Sequence, residues 1–255
     1  MPEGDSYRRI AERLQPLVGE RVSATSPNPR GAATGVARAV DQRLLDAVVA
    51  QGKELRLAFD GGVVLVSRLR MSGRWRVLPP DARVSGAPWL VLRTDVATAI
   101  QLHGPLLFIE RTSRPRRALD LLDGEVGFEA MVGRLRLADP RRPLGEVLQD
   151  QSLVAGIGNM WAAEMLWAAE LHPLLEVGAA EDAELEQALE WGRAAMLESV
   201  AHHRPARAVY RQAGRPCPRC GAPIVHSRVG DLGRTMYRCD RCQRGQGSGS
   251  RSRTQ

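Results

Sequence analysis

The sequence predicts an α+β chain in several parts, and three observations carry that prediction. A helix-spaced apolar pattern opens the chain and gives way to short strand-like runs as far as residue 110. A helical stretch covers residues 120–204. Four cysteines gather in the last 39 residues. In the opening segment Tyr7, Ile10, Leu14, Leu17 and Val18 recur at helical spacing over residues 6–18. Asp5 or Ser6 is placed to cap that helix and Gly19 to stop it. Val63–Val66, Trp89–Leu92 and Leu106–Ile109 read as strands between Gly, Pro and Asp turns. The polar, basic stretch Arg111–Arg117, with Pro115, is the expected linker. Leu144–Asp150, Met160–Glu170 and Glu181–Val200 follow as helices, the last with Leu185, Leu189, Met196 and Val200 on one face. Ile224–Ser227 and Thr235–Tyr237 read as a hairpin turning at Gly230–Gly233. The Gly/Ser/Arg tail Gly245–Gln255 is expected to be disordered.

Composition excludes several classes. At 255 residues, with 44% apolar and 25% charged residues, the chain is ordinary globular material and not a disordered one. No run of 18 apolar residues exists, so no transmembrane helix is expected. MPEGDSYRRI lacks the apolar core of a secretory signal, and the expectation is a cytoplasmic protein. The net charge is +7, but it is unevenly placed. Residues 207–255 hold 11 arginines against Asp231 and Asp240, whereas residues 1–206 hold 25 bases against 27 acids. A basic end of this kind suits a polyanion, and equally suits a solvated tail. Of the 36 basic residues, Lys53 alone is lysine. Arginine stays charged at any reachable pH, so chemistry that needs a deprotonatable lysine has one candidate.

Four segments hold chemistry. Cys217 and Cys220, then Cys239 and Cys242, form two CxxC pairs separated by eighteen residues. Four thiolates at that spacing match a closed tetrahedral Zn²⁺ site, with a redox CxxC as the alternative. A closed site leaves no position for water, so this zinc is structural, and it would hold together a module too small to fold alone. Arg234 ends the hairpin turn and is placed either to grip phosphate or simply to face solvent. The run Gln149–Asn159 contains Gly156 and Gly158, which allow tight turns, and then Asn159, a good N-cap for the next helix. Such a helix start can bind a phosphate, and it is equally ordinary helix punctuation. The fourth segment is Pro2-Glu3. Removal of Met1 would free a secondary amine whose pKa, roughly 8 against 10.4 for lysine, leaves more of it neutral at pH 7. Glu3 beside it is a possible proton donor and acceptor, or merely an acid at a helix start.

Pro2-Glu3-Gly4, Gly52-Lys53, Met71-Ser72-Gly73, Val154–Asn159 and the four-cysteine hairpin stand in one order along the chain. In this the chain resembles the formamidopyrimidine-DNA glycosylase/endonuclease VIII family of base-excision repair enzymes, over Pro2 to Gln243. Pro2-Glu3-Gly4-Asp5 resembles the endonuclease VIII-like branch, particularly its actinobacterial members. The resemblance implies an N-terminal β-sandwich with a leading helix (1–115), a helix-two-turns-helix domain (116–208), a four-cysteine zinc finger (209–245) and a disordered tail (246–255). It implies a bifunctional DNA glycosylase/AP lyase, with Pro2 as nucleophile, Glu3 as acid/base group and Lys53 as the motif lysine that contacts phosphate and assists proton transfer. Asn159, Gly156, Gly158 and Arg234 would hold the DNA backbone. Met71 would fill the void left by the everted nucleotide; read without the resemblance, it is a strand core residue. The cofactor implied is one structural Zn²⁺ ion. The partner is damaged DNA, double- or single-stranded, met by a monomer with no membrane association, in the cytoplasm on the bacterial nucleoid.

The sequence departs from the family pattern at Asp5, at Ser6 and at Arg68, where a histidine is common. Gln101–Glu110 offers no clear Arg/Phe pair to stack beside the orphan base. Only the ten residues Arg207–Pro216 join the last helix to Cys217, so the long lesion-capping loop of the formamidopyrimidine branch is missing. That favours oxidised pyrimidines, or a broad open pocket, over 8-oxoguanine. The alternative is a damage-binding protein on the same scaffold with weak or lost catalysis.

Overall fold

The computed structural model describes residues 2–104, 106–110, 118–203, 207–231 and 233–243. The chain divides into two compact units, Met1–Pro115 and Arg116–Gln255. The expected linker Arg111–Arg117 and tail Gly245–Gln255 lie outside the described residues.

The first unit begins with α1 (Gly4–Leu14), which buries Gly4, Asp5, Tyr7, Ala11 and Leu14 along one face. This helix starts earlier than its apolar spacing suggests. Glu3, in extended conformation, is the N-cap, not Asp5 or Ser6. Asp5 is instead buried inside the first turn, where it pairs with Arg9 at 3.1 Å. The α-helix stops at Leu14 because Pro16 has no N–H to continue the ladder, and Gln15–Leu17 form a 3-10 turn.

β1 (Ser23–Thr25) and two short helices, α2 (Pro29–Ala33) and α3 (Val36–Val40), come next. Seven strands complete the unit: β2 (Leu45–Gln51), β3 (Glu54–Phe59), β4 (Val63–Arg68), β5 (Arg74–Leu78), β6 (Leu90–Arg93), β7 (Thr98–Leu102) and β8 (Leu106–Glu110). They form two antiparallel four-stranded sheets, ordered β1-β6-β7-β5 and β2-β3-β4-β8. Strand β3 alternates half-buried and buried positions, so Leu55, Leu57 and Phe59 face inward. They share one core with Leu65 of their own sheet and with Trp75, Leu90, Leu92 and Ala99 of the other. The first unit is therefore a β-sandwich with a leading helix.

The second unit holds a small parallel pair, β9 (Leu119–Asp120) with β10 (Val154–Ala155), and four helices. These are α4 (Phe128–Leu135), α5 (Leu144–Val147), α6 (Asn159–Ala168) and α7 (Asp182–His202). Helix α5 is shorter than the expected Leu144–Asp150, and α6 ends two residues before the expected Glu170. Glu181 caps α7 in a reciprocal capping box with Glu184. Leu185, Leu189, Met196 and Val200 of α7 are buried, as their spacing requires. The hairpin β11 (Val225–Val229) and β12 (Arg234–Arg238) completes the unit. Ile224, Val229 and Met236 of the hairpin region belong to the same core as the helices. Among the described residues no helix is long and apolar enough to cross a membrane.

Candidate active site and nucleic-acid interface

In the first unit the chemistry-bearing residues sit at turns. Pro2 is half-buried, and Glu3 is buried at the N-cap of α1. The Glu3 carbonyl accepts the amides of Ser6 at 2.9 Å and Tyr7 at 3.2 Å, which fixes the backbone immediately after Pro2. The positive end of α1 favours a carboxylate there.

Lys53, half-buried, lies in the two-residue turn between β2 and β3, where Gln51 pairs with Glu54. Gly52 has φ 56 at the first turn position, a left-handed conformation that glycine adopts without strain. Helix α1 packs along the same hairpin, and Gln15 at its end donates to the Val48 carbonyl at 3.1 Å. Beside Lys53, Glu54 accepts from Arg68 Nε at 2.6 Å, so the arginine at the family's histidine position is held by a carboxylate.

Met71 sits in the turn between β4 and β5 with 74% of its surface exposed, which excludes the strand-core reading. Its turn is tightly built. A Cβ on Gly73 would come within 2.7 Å of the Leu69 carbonyl oxygen, so Met71-Ser72-Gly73 requires its glycine. Arg70 takes φ 48, which is uncommon for a side-chain-bearing residue.

In the second unit the structure joins two segments that lie far apart in sequence. Gly156 takes φ 98, and its amide donates to Gln151 Oε1 at 3.1 Å. Gln151 closes the frame by donating to the Ile157 carbonyl at 2.8 Å. Gly158, not Asn159, is the N-cap of α6. Asn159 is the first helical residue, and its side chain turns away from the helix end. Nδ2 donates to the Thr235 carbonyl of β12 at 2.8 Å, and Oδ1 is buried without a partner among the described residues. The second Nδ2 hydrogen remains for a ligand acceptor.

Arg234, next to Thr235, is exposed and donates to Gln149 Oε1 at 2.8 Å. A cavity of about 270 Å³ lies here, between Arg142, Glu146, Gln149, Asp150, Gln151, Val229 and Arg234. Arg142 is neutralised by Glu146 at 2.7 Å and Asp150 at 3.1 Å. Among the described residues Arg234 has no carboxylate partner, which leaves its charge available to an anion.

The four cysteine sulfurs all lie within 4.8 Å of one another. Cys217 and Cys242 are 3.8 Å apart, and Cys220 and Cys239 are 3.5 Å apart. Zinc–sulfur bonds of about 2.3 Å in a tetrahedron place sulfurs about 3.8 Å apart, so the set fits that metal. Burial pushes the Cys217 thiol up, but the Arg219 amide, the Trp167 side chain, the Cys220 amide and Cys239 together outweigh it and hold it down to about 6. Burial and the neighbouring sulfurs push Cys239 and Cys242 up. The module is tied to the helices. Gln243 accepts from the Cys239 amide at 2.8 Å and donates to the Leu171 carbonyl at 2.7 Å.

Three polar residues of this unit, Gln149, Gln151 and Glu164, carry structure that the sequence motifs do not mark. Glu164, buried in α6, accepts the amides of Ala208, Val209 and Tyr210 at 2.8–3.1 Å, which anchors the segment leading to the cysteines. Burial pushes its carboxyl above the ordinary range, and the three amides pull it back. The doublet of glutamines before the glycine turn was the available signal for the first two. A lone acid in an otherwise apolar helix was the signal for the third.

Comparison with known proteins agrees along most of the chain. The formamidopyrimidine-DNA glycosylase N-terminal domain matches residues 1–145, and the formamidopyrimidine-DNA glycosylase H2TH domain matches residues 120–206. A probable endonuclease 8 2 of Streptomyces coelicolor is 36% identical over 96% of this chain and 95% of its own length. A formamidopyrimidine-DNA glycosylase of Roseiflexus is 34% identical over 76% of this chain and 79% of its own. In fold, the chain is similar to the Lactococcus lactis formamidopyrimidine-DNA glycosylase solved with DNA containing an abasic site. The TM-score is 0.81 at 21% identity, covering 95% of this chain and 100% of that one. The same glycosylase solved with DNA containing an oxidised pyrimidine also gives 0.81. With its N-terminal half matched and a relative at 36% identity along nearly its full length, the chain belongs to the formamidopyrimidine-DNA glycosylase/endonuclease VIII family.

Proposed function

We propose that this base-excision DNA glycosylase is bifunctional, removing an oxidised base and then nicking the strand through a Schiff base on Pro2. The observation that carries the reading is the placement of Pro2 and Glu3, a half-buried imino acid followed by a buried carboxyl at a helix start. With Met1 removed, the Pro2 nitrogen attacks C1′ of the damaged nucleotide, and the C1′–N bond to the base breaks. The base leaves with a proton, and Glu3 is the nearest acid in sequence to supply or relay it. Opening of the sugar leaves an iminium between Pro2 and C1′, an electron sink that acidifies C2′–H. Loss of that proton expels the 3′ phosphate (β-elimination). A second loss, from C4′, expels the 5′ phosphate (δ-elimination). Lys53 contacts phosphate and assists these proton transfers.

The lesion has to leave the stack before C1′ is reachable, and an exposed Met71 suits the vacated space. Asn159 and Arg234, with the turn of Gly156 and Gly158, grip the backbone near the lesion. The donor set of Cys217, Cys220, Cys239 and Cys242 suits a structural zinc ion, which supplies no chemistry to the reaction and keeps β12 in place. The domains are 1–115, 116–208 and 209–245, with a tail at 246–255. The protein works as a cytoplasmic monomer on damaged DNA.

The connection from α7 to Cys217 is longer than the expected Arg207–Pro216, fourteen residues (203–216) instead of ten, and is still short, which favours oxidised pyrimidines. Single-turnover cleavage of oligonucleotides carrying dihydrouracil, thymine glycol, 8-oxoguanine or an abasic site tests the reading. Faster removal of the two pyrimidines, with nicking of the abasic strand, is expected. Preference for 8-oxoguanine would overturn the substrate class. Tight binding without any cleavage would overturn the enzymatic reading.

A further inference from the structure

One buried polar contact joins two motifs of the first unit that lie over sixty residues apart. Tyr7 is 2% exposed in the sandwich core, one turn into α1. Its amide donates to the Glu3 carbonyl at 3.2 Å. Its hydroxyl accepts the Leu69 amide at 2.7 Å. Leu69 in turn accepts the Gly73 amide at 2.8 Å, so both polar groups of Leu69 are occupied and the turn around Met71 closes on itself. Trp75 Nε1, which donates to Ser67 Oγ at 3.1 Å, pins the two strands that flank the turn.

A phenylalanine would fill the same volume in this apolar core. A buried hydroxyl is costly unless it is paired, and its pairing here is with the turn that carries Met71, the most exposed large apolar side chain among the described residues. Burial pushes the phenol up, against the amides of Leu69 and Arg70, so it stays neutral around pH 7.

We propose that Tyr7 is a positioning residue, whose hydroxyl fixes the turn that presents Met71 and couples it to α1, the helix that follows Pro2 and is capped by Glu3. The inference rests on the reading of Met71 as the void-filling residue. A side chain driven between base pairs pushes back on its own turn. Leu69 transmits that load to Tyr7, and Tyr7 transmits it along one helical turn to Glu3. Without the hydroxyl the Leu69 amide loses its partner and Met71 is presented in more than one pose.

The test is a double-mutant cycle on the full chain lacking Met1, with Tyr7→Phe, Met71→Ala and both together. Single-turnover excision of dihydrouracil from duplex is measured, with 2-aminopurine fluorescence beside the lesion to report insertion. Tyr7→Phe is expected to slow excision roughly five- to tenfold on the native background and to add nothing on Met71→Ala. The insertion signal falls with it. An equal loss on both backgrounds would mean a general packing effect and overturn the tether while leaving the Met71 reading intact. A Met71→Ala variant as fast as the native protein overturns both. Native-state hydrogen exchange is independent of any variant. The Leu69 amide is expected to be as protected as those of β4, and rapid exchange there overturns the proposal.

Discussion

Asn159 has two tasks in this account, and two substitutions separate them. Its Nδ2 donates to the Thr235 carbonyl at 2.8 Å, which ties α6 to the hairpin, and its second hydrogen is assigned to a DNA phosphate. Asn159→Ala removes both bonds. The lost tie leaves the Thr235 carbonyl short of a donor, at about 1–3 kcal/mol. Removing the unpartnered Oδ1 offsets part of this, so a net of about 1 kcal/mol is expected. For a unit of this size that lowers Tm by roughly 2–4 °C. The lost phosphate contact, a hydrogen bond to a charged group, is worth about 1.5–3 kcal/mol, or roughly 10- to 100-fold in Kd. Asn159→Asp keeps the shape but reverses the interaction. A carboxylate about 4 Å from a phosphate at an effective dielectric of 20 adds about 4 kcal/mol of repulsion. Fluorescence anisotropy with a tetrahydrofuran-containing duplex, at fixed salt, is the assay. The expected order of affinity is native, then Ala, then Asp, with Asp far the weakest. Equal affinity of Ala and Asp variants of matched Tm would refute the phosphate assignment and leave only the tie to Thr235.

Two further perturbations address other parts of the site. Lys53→Arg keeps the charge but removes a titratable amine, so binding of an abasic duplex should hold while excision slows by roughly 10²-fold, measured in single turnover. Unchanged excision would reduce Lys53 to a phosphate contact. Metal analysis should find a single zinc ion per chain. Cys220→Ser or chelation should strip that ion and melt β11 and β12, which present Arg234 and Thr235. DNA affinity and its salt dependence then fall together. A metal-free protein with native affinity would contradict the structural role of the four cysteines.

Much of this is legible in the sequence, for physical reasons. Val63–Val66 and Leu106–Ile109 announce β4 and β8 because short β-branched and aliphatic runs between turn residues suit a strand, although only β4 buries consecutive residues and Phe108 of the edge strand β8 is exposed. The CxxC pairs announce a metal site because four thiolates at that spacing have few other uses. What was not legible depended on partners distant in sequence. The start of α1 was misplaced because burial of Gly4 and Asp5 is a tertiary fact, and Asp5 looks like a cap until Arg9 and the core claim it. Asn159 likewise has the composition of an N-cap, yet Thr235, 76 residues away, takes its side chain. Tyr7 read as one more apolar position of a helix. Only its contact with Leu69, 62 residues on, shows that the hydroxyl matters.

The central claim is that the Pro2 nitrogen forms the covalent bond to DNA. Borohydride reduction during reaction with an abasic duplex, followed by peptide mass spectrometry of the cross-linked protein, tests it directly. Protein lacking Met1 should be trapped, with the reduced adduct on the N-terminal peptide at Pro2, whereas protein retaining Met1 should not be trapped through Pro2. An adduct on Lys53, or none from protein whose N-terminus is shown to be Pro2, would contradict the account.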